Sequence, residues 1–208
     1  MTDARELLQD ARVIPVVVIE DLDKAVPIAE CLLAAGLNSI EVTQRTEAAL
    51  QAIEKIAAAV PGMIVGAGSL RNTQHAADVQ TAGARFAVAP GATDALLDAT
   101  EAAGIPLVPG AATASEMMHL YQRGYLLQKF FPAELAGGAP YLKAVGAPLP
   151  EVQFVPTGGV TTDNAAAYLA LNNVAAVGGS WIAPKPLLDA GDFAAIGRIA
   201  ADAAQLGL

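Results

Sequence analysis

The sequence predicts an α/β fold: one (β/α)8 TIM barrel over residues 1–208, with a short extra helix at its N-terminus. Short apolar runs alternate with Ala-rich helical patterns eight times along the 208 residues, which is the pattern of parallel strands joined by crossover helices. Nearly every run ends in Gly, Pro, Thr or Ser, as in VGAGS, VAPGAT and VPTGG. In a barrel such ends build the catalytic mouth. Because no linker, low-complexity tract or charge block interrupts the series, we expect a single domain.

Each predicted strand is a short, largely apolar run. The eight runs are 14–19, 39–43, 63–67, 86–89, 106–108, 126–131, 153–156 and 175–177. Helices are predicted between and after them, near 22–35, 46–59, 73–82, 93–103, 114–123, 138–146, 162–171 and 192–206, and the extra helix near 3–10. Eight strand–helix units close naturally into a barrel. An open, doubly wound sheet is the alternative.

The composition disfavours several classes of partner. The net charge of −9 disfavours nucleic acid and anionic membranes, because both bind clustered Lys and Arg. No run approaches the ~18 uninterrupted apolar residues of a membrane span, so none is expected. The chain is 54% hydrophobic and only 16% charged, so some apolar surface is expected to lie between subunits.

A cytoplasmic location is expected. Cys31 is the single cysteine, so no intrachain disulfide can form, which suits a reducing compartment. Its position in the apolar pattern IAECLLAAG indicates core packing. The N-terminal stretch MTDARELLQD lacks the apolar segment of a signal peptide.

One lysine lies inside a predicted strand. Lys129 occurs in LLQKFFPAE, whereas the other lysines fall on predicted helices or in a Pro-flanked loop. An unpaired ammonium inside a protein is costly, and burial favours the neutral amine, which is the nucleophile that attacks a ketone. This strand alone leaves two interpretations open: a catalytic amine, or a lysine that reaches solvent or pairs with a carboxylate.

A second strand carries polar side chains on one face. In SIEVTQRTE, Glu41, Thr43 and Arg45 are spaced by two, so an acid, a hydroxyl and a cation share a face. A carboxylate near a lysine can act as general acid and base, and an arginine can hold a substrate carboxylate through two hydrogen bonds. The alternative is a purely structural pair of Glu41 with Arg45 or Lys129. Two charged exceptions on separate strands favour the functional interpretation.

Two Gly-rich strand ends indicate a phosphate site. PTGGV contains Thr157, Gly158 and Gly159, and GGSWI contains Gly178, Gly179 and Ser180. They follow the seventh and eighth predicted strands, where many barrels bind phosphate through backbone N–H groups. Tight turns use glycine pairs too, but two pairs at these positions favour phosphate binding.

Other candidate sites are weaker. Ser69 and Thr113 end further strands and can supply hydroxyls, although for Thr113 a helix N-cap is favoured. His75 and His119 both fall within predicted helices, so no cluster has metal-ligand spacing. GAGSLRN lacks the third glycine of a dinucleotide-binding loop. The sequence therefore predicts neither a metal nor a nucleotide cofactor.

Six motifs together resemble a known family. EVTQRTE, GAGSL, APGAT, QKFFPAE, PTGGV and GGSW, in this order, resemble the 2-keto-3-deoxy-6-phosphogluconate (KDPG) aldolases, also called 4-hydroxy-2-oxoglutarate (KHG) aldolases. The resemblance runs from VIPVVVIED to GGSWIAP. It implies a metal-free class I aldolase, typically a homotrimer, that makes or breaks a carbon–carbon bond through a Schiff base with pyruvate. Ser69 stands where the family commonly has Thr, Gln44 where an apolar residue is usual, and Gln128 where an aromatic is common.

The resemblance also implies roles for individual residues. Lys129 would be the Schiff-base lysine and Glu41 the general acid and base. For the substrate, a 2-keto acid phosphate, the implied contacts are Arg45 and Ser69 at the carboxylate, Thr157 near the hydroxyls, Phe131 at the apolar wall, and Gly158, Gly159 and Ser180 at the phosphate.

Other functions stay open at this point. One is an aldolase for the 4-epimeric phosphogalactonate, although by the family resemblance Thr157 favours the gluconate form. A phosphosugar isomerase or epimerase would use Glu41 and the Gly-rich ends but would leave Lys129 without a role. A non-enzymatic phosphosugar-binding subunit would need neither Lys129 nor Glu41.

Overall fold

Strands and helices alternate along residues 3–206, the part of the chain that the structure, a computed structural model, describes. The strands are β1 (Val13–Val17), β2 (Ser39–Thr43), β3 (Ile64–Gly68), β4 (Phe86–Val88), β5 (Leu107–Val108), β6 (Gly110–Ala111), β7 (Leu127–Phe130), β8 (Gln153–Pro156) and β9 (Val177–Gly179). The helices are α1 (Ala4–Leu7), α2 (Ala25–Ala34), α3 (Ala49–Ala59), α4 (Thr73–Thr81), α5 (Asp94–Ala103), α6 (Ala114–Gln122), α7 (Gly138–Val145), α8 (Thr162–Leu169), α9 (Lys185–Ala190) and α10 (Phe193–Ala204). A 3-10 turn, Leu22–Lys24, leads into α2.

All paired strands are parallel, which confirms the predicted α/β class. One sheet has the order β5-β4-β3-β2-β1-β9 and the other β6-β7-β8. The sheets follow one another at Pro109, between β5 and β6, where proline cannot donate to a strand ladder. At the other edge, isolated bridges join Phe154 to Val174 and Thr157 to Gly178. The predicted strand 106–108 therefore corresponds to β5, and β6 continues it beyond the proline.

Two predictions for the C-terminal end, one strand boundary and one loop, were wrong. The last strand is not 175–177 but β9, in which Gly178 and Gly179 pair with Ile14 and Pro15. The Gly-rich strand end GGSW was placed after this strand, yet its glycines belong to the ladder. The predicted Pro-flanked loop around Lys185 is α9, because proline is tolerated in the first turn of a helix.

A small apolar cluster lies inside the strands, at the end where α1 packs, and supports the candidate site. It joins α1, through Ala4 and the following Leu8, to side chains from several strands, among them Phe86, Leu127 and Val155. A Cβ on Gly66 would lie 2.2 Å from the Phe86 ring, so that ring packs directly over the β3 backbone. A larger cluster packs the outer faces of the strands against the helices.

The helices of residues 3–206 are all too short or too polar to cross a membrane.

Candidate active site

Lys129 and Glu41 face each other across the space between β7 and β2. Nζ of Lys129 lies 3.7 Å from Oε1 of Glu41, and each side chain is 4% exposed. Buried charges are costly unless they are paired, so each residue accounts for the burial of the other. Oε1 has no hydrogen-bond partner among the described residues. This buried oxygen therefore keeps its acceptor capacity unused beside the amine.

The absence of a side chain at Gly68 leaves the space that the Glu41 carboxylate occupies. A Cβ on Gly68 would lie 2.0 Å from Oε1 and 2.5 Å from Cγ of Glu41. Gly68 is the last residue of β3 and pairs with Thr43 of the neighbouring strand, so the carboxylate lies over the end of β3. Sequence reasoning missed this residue, although the signal was present in the alternating glycines of VGAGS.

The neighbours of β7 hold Lys129 in the strand ladder. Its N–H donates to Pro109 O at 2.8 Å, and it pairs with Gly110 on one side and Val155 on the other. A Cβ on Gly110 would lie 2.4 Å from the backbone of Pro90, so the loop after β4 approaches closely beside the lysine. The amine lies 5.1 Å from the centroid of the Phe131 ring, within the range of a cation–π contact.

Gln128 lies on the opposite face of β7 from Lys129 and holds that face in place. Its side-chain amide is fully buried and donates to Met117 O at 3.1 Å and to Tyr125 O at 3.0 Å. Because side chains alternate along a strand, these bonds to α6 and the residues after it direct Lys129 to the inner side. The glutamine that departs from the family pattern thus has a partner in this chain.

Arg45 and Ser69 form a second polar pair at the ends of β2 and β3. Nε of Arg45 donates to Oγ of Ser69 at 3.0 Å. Ser69 is buried and has a left-handed φ of 61°, whereas Arg45 is exposed. The Nη atoms of Arg45 bond to no other described residue, so one edge of the guanidinium is free for a carboxylate.

The two Gly-rich segments lie side by side. Thr157 bridges to Gly178, where a Cβ would lie 2.3 Å from the threonine Oγ1. Gly158 and Gly159 have left-handed φ values of 94° and 81°, and Ser180, which directly follows β9, is exposed.

Phe131 contacts both the Lys129 amine and the first Gly-rich segment. A Cβ on Gly158 would lie 3.2 Å from its ring, so the ring lies between Lys129 and the Gly-rich turn. Beyond it, a cavity of about 340 Å³ opens between α6 and the loop after β4. A larger cavity, about 600 Å³, lies near α1 at the opposite end of the strands and includes neither Lys129 nor Glu41 in its lining.

The remaining candidate residues lie elsewhere. Thr113 caps α6, and its side chain and that of Glu116 form a capping box, as favoured from the sequence. His119 pairs with Asp94 on the surface, and His75 lies in the exposed first turns of α4. No group of three or more His, Cys, Asp or Glu within residues 3–206 could hold a metal ion.

Comparison with known proteins identifies the family. The model of the KDPG and KHG aldolases matches residues 4–199. The chain belongs to the KDPG and KHG aldolase family. It is an aldolase, an enzyme of the carbon–carbon lyase class, and the resemblance drawn from its motifs is confirmed.

Relatives match this member of the aldolase family along nearly their whole length. A 2-dehydro-3-deoxy-phosphogluconate aldolase of Pseudoalteromonas atlantica is 46% identical over 200 residues, which are 96% of this chain and 93% of the relative. A KHG/KDPG aldolase of Escherichia coli is 46% identical over 204 residues, 98% of this chain and 96% of the relative. The crystal structure of the Legionella pneumophila KDPG aldolase, with pyruvate captured as a covalent carbinolamine, superposes with a TM-score of 0.93 at 43% identity and covers 96% of this chain and 97% of its own.

Proposed function

We propose that this aldolase cleaves 2-keto-3-deoxy-6-phosphogluconate reversibly to pyruvate and glyceraldehyde 3-phosphate through a Schiff base on Lys129. The observation that carries the proposal is the buried amine of Lys129, 3.7 Å from a carboxylate oxygen of Glu41 that has no hydrogen-bond partner among the described residues. The covalent pyruvate intermediate of the Legionella relative supports the same chemistry here.

Lys129, after its ammonium proton has passed to solvent, attacks the C2 ketone of the substrate as the neutral amine and gives a carbinolamine. The carbinolamine takes up a proton on its hydroxyl and loses water to form a protonated imine. Glu41, through a water, removes the proton of the C4 hydroxyl. The C3–C4 bond breaks, its electron pair enters the imine to form an enamine, and glyceraldehyde 3-phosphate leaves. Glu41 then returns a proton to C3, and water hydrolyses the imine to release pyruvate. Covalent catalysis divides one hard step into easier ones.

The other candidate residues orient the substrate at both ends. Arg45, with Ser69 on its Nε, offers its free guanidinium edge to the C1 carboxylate. The phosphate would lie on the N–H groups of Gly158 and Gly159, with Ser180 beside them. These two anchors fix the reacting carbons over the amine, and such orientation lowers the barrier further.

Thr157 and Phe131 would contact the middle of the substrate. Thr157 is nearly buried and bridges to the second Gly-rich segment, which suits a hydroxyl that meets the C4 or C5 hydroxyl of the substrate. The Phe131 ring, 5.1 Å from the amine, would form the apolar wall that limits water near the imine.

The chain as a whole would form one closed (β/α)8 barrel. The continuation of β5 into β6 and the bridges from β8 toward β9 support closure, and α1 would be the extra helix that covers the lower end of the barrel. We propose a single domain over residues 1–208, a homotrimer, a cytoplasmic location and no metal cofactor. The mechanism above supports the last point, because the imine itself serves as the electron sink.

The substrate is tested by product analysis. With 2-keto-3-deoxy-6-phosphogluconate, we expect equal amounts of pyruvate and glyceraldehyde 3-phosphate, and a lower kcat/KM for the phosphogalactonate epimer. 4-Hydroxy-2-oxoglutarate should also be cleaved, as the name of the Escherichia coli relative suggests. Isomerisation without release of pyruvate would refute the proposal and favour the phosphosugar isomerase alternative.

A further inference from the structure

The turn after β8 is held by the loop after β7. Ala133 N donates to Thr157 O at 2.9 Å, and Glu134 N donates to Gly158 O at 3.1 Å. These bonds extend the pairing of the two strands past their ends. The conformation of the turn is therefore set by residues more than twenty positions earlier in the chain.

The first turn of α8 holds the same segment from the other side. Asn164 Nδ2 donates to Gly159 O at 3.0 Å, and its Oδ1 accepts from Thr161 N at 2.8 Å. The carbonyls of residues 157–159 are thus all bonded. The N–H groups of Gly158 and Gly159 donate to no described residue, which is the arrangement of a backbone site for an anion.

The side chain of Glu134 covers Gly159 and is itself held. A Cβ on Gly159 would lie 2.6 Å from Cγ of Glu134 and 2.7 Å from its Cβ. The Tyr168 hydroxyl, on the fully buried side chain from α8, donates to Oε1 of Glu134. Burial, followed by the bond to Glu134 and its charge, raises the pKa of Tyr168, so the hydroxyl remains a donor at neutral and mildly alkaline pH.

We propose that Glu134, held by Tyr168, is a positioning residue that fixes the Gly158–Gly159 turn with its N–H groups free for the substrate phosphate. The inference rests on the proposed function, since it concerns the same site. Glycine loses more conformational freedom than any other residue when it is ordered, and a turn ordered before binding does not lose that freedom on binding.

The test compares two substrates that differ only in the phosphate. For Tyr168→Phe we expect the KM for 2-keto-3-deoxy-6-phosphogluconate to rise about tenfold, the effect of one hydrogen bond to a charged group. The kcat/KM for unphosphorylated 2-keto-3-deoxygluconate should stay within about twofold, and so should the yield of borohydride-trapped pyruvate. Tyr121→Phe, on a partly exposed tyrosine of α6, is the matched control and should change neither substrate.

Substitutions at Glu134 separate positioning from charge. Glu134→Gln keeps the shape and an oxygen acceptor, so it should retain most of the preference for the phosphorylated substrate. Glu134→Ala should lose the preference for the phosphorylated substrate as Tyr168→Phe does. In the double variant this loss should be no greater than in either single variant. Because Glu134 is exposed, its truncation opens no core cavity. Glu134→Ala therefore still tests the inference if Tyr168→Phe folds poorly.

The outcomes distinguish this inference from the function on which it rests. If the unmodified enzyme does not prefer the phosphorylated substrate, the phosphate part of the proposed function fails, and the inference fails with it. If it does prefer that substrate but Tyr168→Phe and Glu134→Ala keep the full preference, the positioning role alone is wrong. Equal losses in Glu134→Gln and Glu134→Ala would also overturn it, because they would indicate an effect of charge.

Discussion

Gly68 lies so close to Glu41 that a Cβ at this position would be 2.0 Å from the carboxylate Oε1. The side chain proposed as the general acid and base therefore depends on a glycine of the neighbouring strand. Real Cβ atoms do not approach other atoms so closely, so any side chain at residue 68 must move Glu41.

We expect Gly68→Ala to lower kcat about 100-fold or more, because a displaced carboxylate loses the contribution of general acid–base catalysis. Steady-state kinetics with 2-keto-3-deoxy-6-phosphogluconate would measure this loss. Gly91→Ala is the matched control, since a Cβ there meets no atom within 4 Å. A Gly68→Ala enzyme with normal turnover would show that the position of the carboxylate does not limit the rate.

Glu41→Gln should slow cleavage about 100- to 10,000-fold, the usual contribution of a general acid–base residue, while still allowing some imine to form on Lys129. Single-turnover kinetics would separate the two steps, with cleavage slowed more than the trapping of pyruvate. Glu54→Gln, an exposed residue of α3, is the control. Equal loss of both steps would mean that Glu41 acts in imine formation rather than in bond cleavage.

Arg45→Lys should raise the KM for the substrate about tenfold with a smaller change in kcat. Lysine keeps the positive charge but lacks the planar fork that binds Ser69 and a carboxylate together. Arg71→Lys, at an exposed position, controls for a general effect of the exchange. If Arg45→Lys left KM unchanged for substrate and for pyruvate analogues, the carboxylate would bind elsewhere.

Treatment with EDTA should leave activity unchanged within about twofold. The electron pair of the breaking bond enters the imine in the proposed mechanism, so no metal is needed to accept it. Activity after gel filtration from chelator, with and without added Mg²⁺, Mn²⁺ or Zn²⁺, measures this directly. A large loss that a divalent cation restores would instead indicate a metal-dependent aldolase.

The sequence predicted the charged part of the candidate site because its residues break a local rule. Lys129 lies in a largely apolar strand, and Glu41 and Thr43, on the same face as Arg45, alternate with Ile40 and Val42. Both departures are visible within five to seven residues of sequence. The parallel α/β class was predictable for the same reason, since the alternation of strands and helices is a local pattern that repeats.

The glycines of the site could not be interpreted in the same way. Gly68 is required by Glu41 and Gly110 by Pro90, and in each case the other residue lies on a different strand or loop. Only the register between strands brings them together. Glu134 was overlooked because a glutamate after a strand is typical of the surface, and its contact with Tyr168 joins residues 34 positions apart.

The ends of the last elements were mispredicted because tertiary contacts override local signals. The glycines of GGSW usually mark a loop, yet here Gly178 lies beneath Thr157 and Gly179 beneath the Trp181 ring. Those close contacts accept no side chain, so the glycines pair in β9 rather than turn away from it. Likewise Pro184 and Pro186 do not prevent α9, since both lie where a helix begins.

The central claim is that Lys129 forms a Schiff base, and borohydride reduction in the presence of pyruvate tests it most directly. Peptide mass spectrometry of the reduced protein should find one pyruvyl adduct, on the peptide that contains Lys129, and Lys129→Ala should give neither adduct nor cleavage. Lys143→Ala, at an exposed position of α7, should still be labelled and active. A folded enzyme that cleaves its substrate but gives no adduct, or carries it on another lysine, would contradict the account.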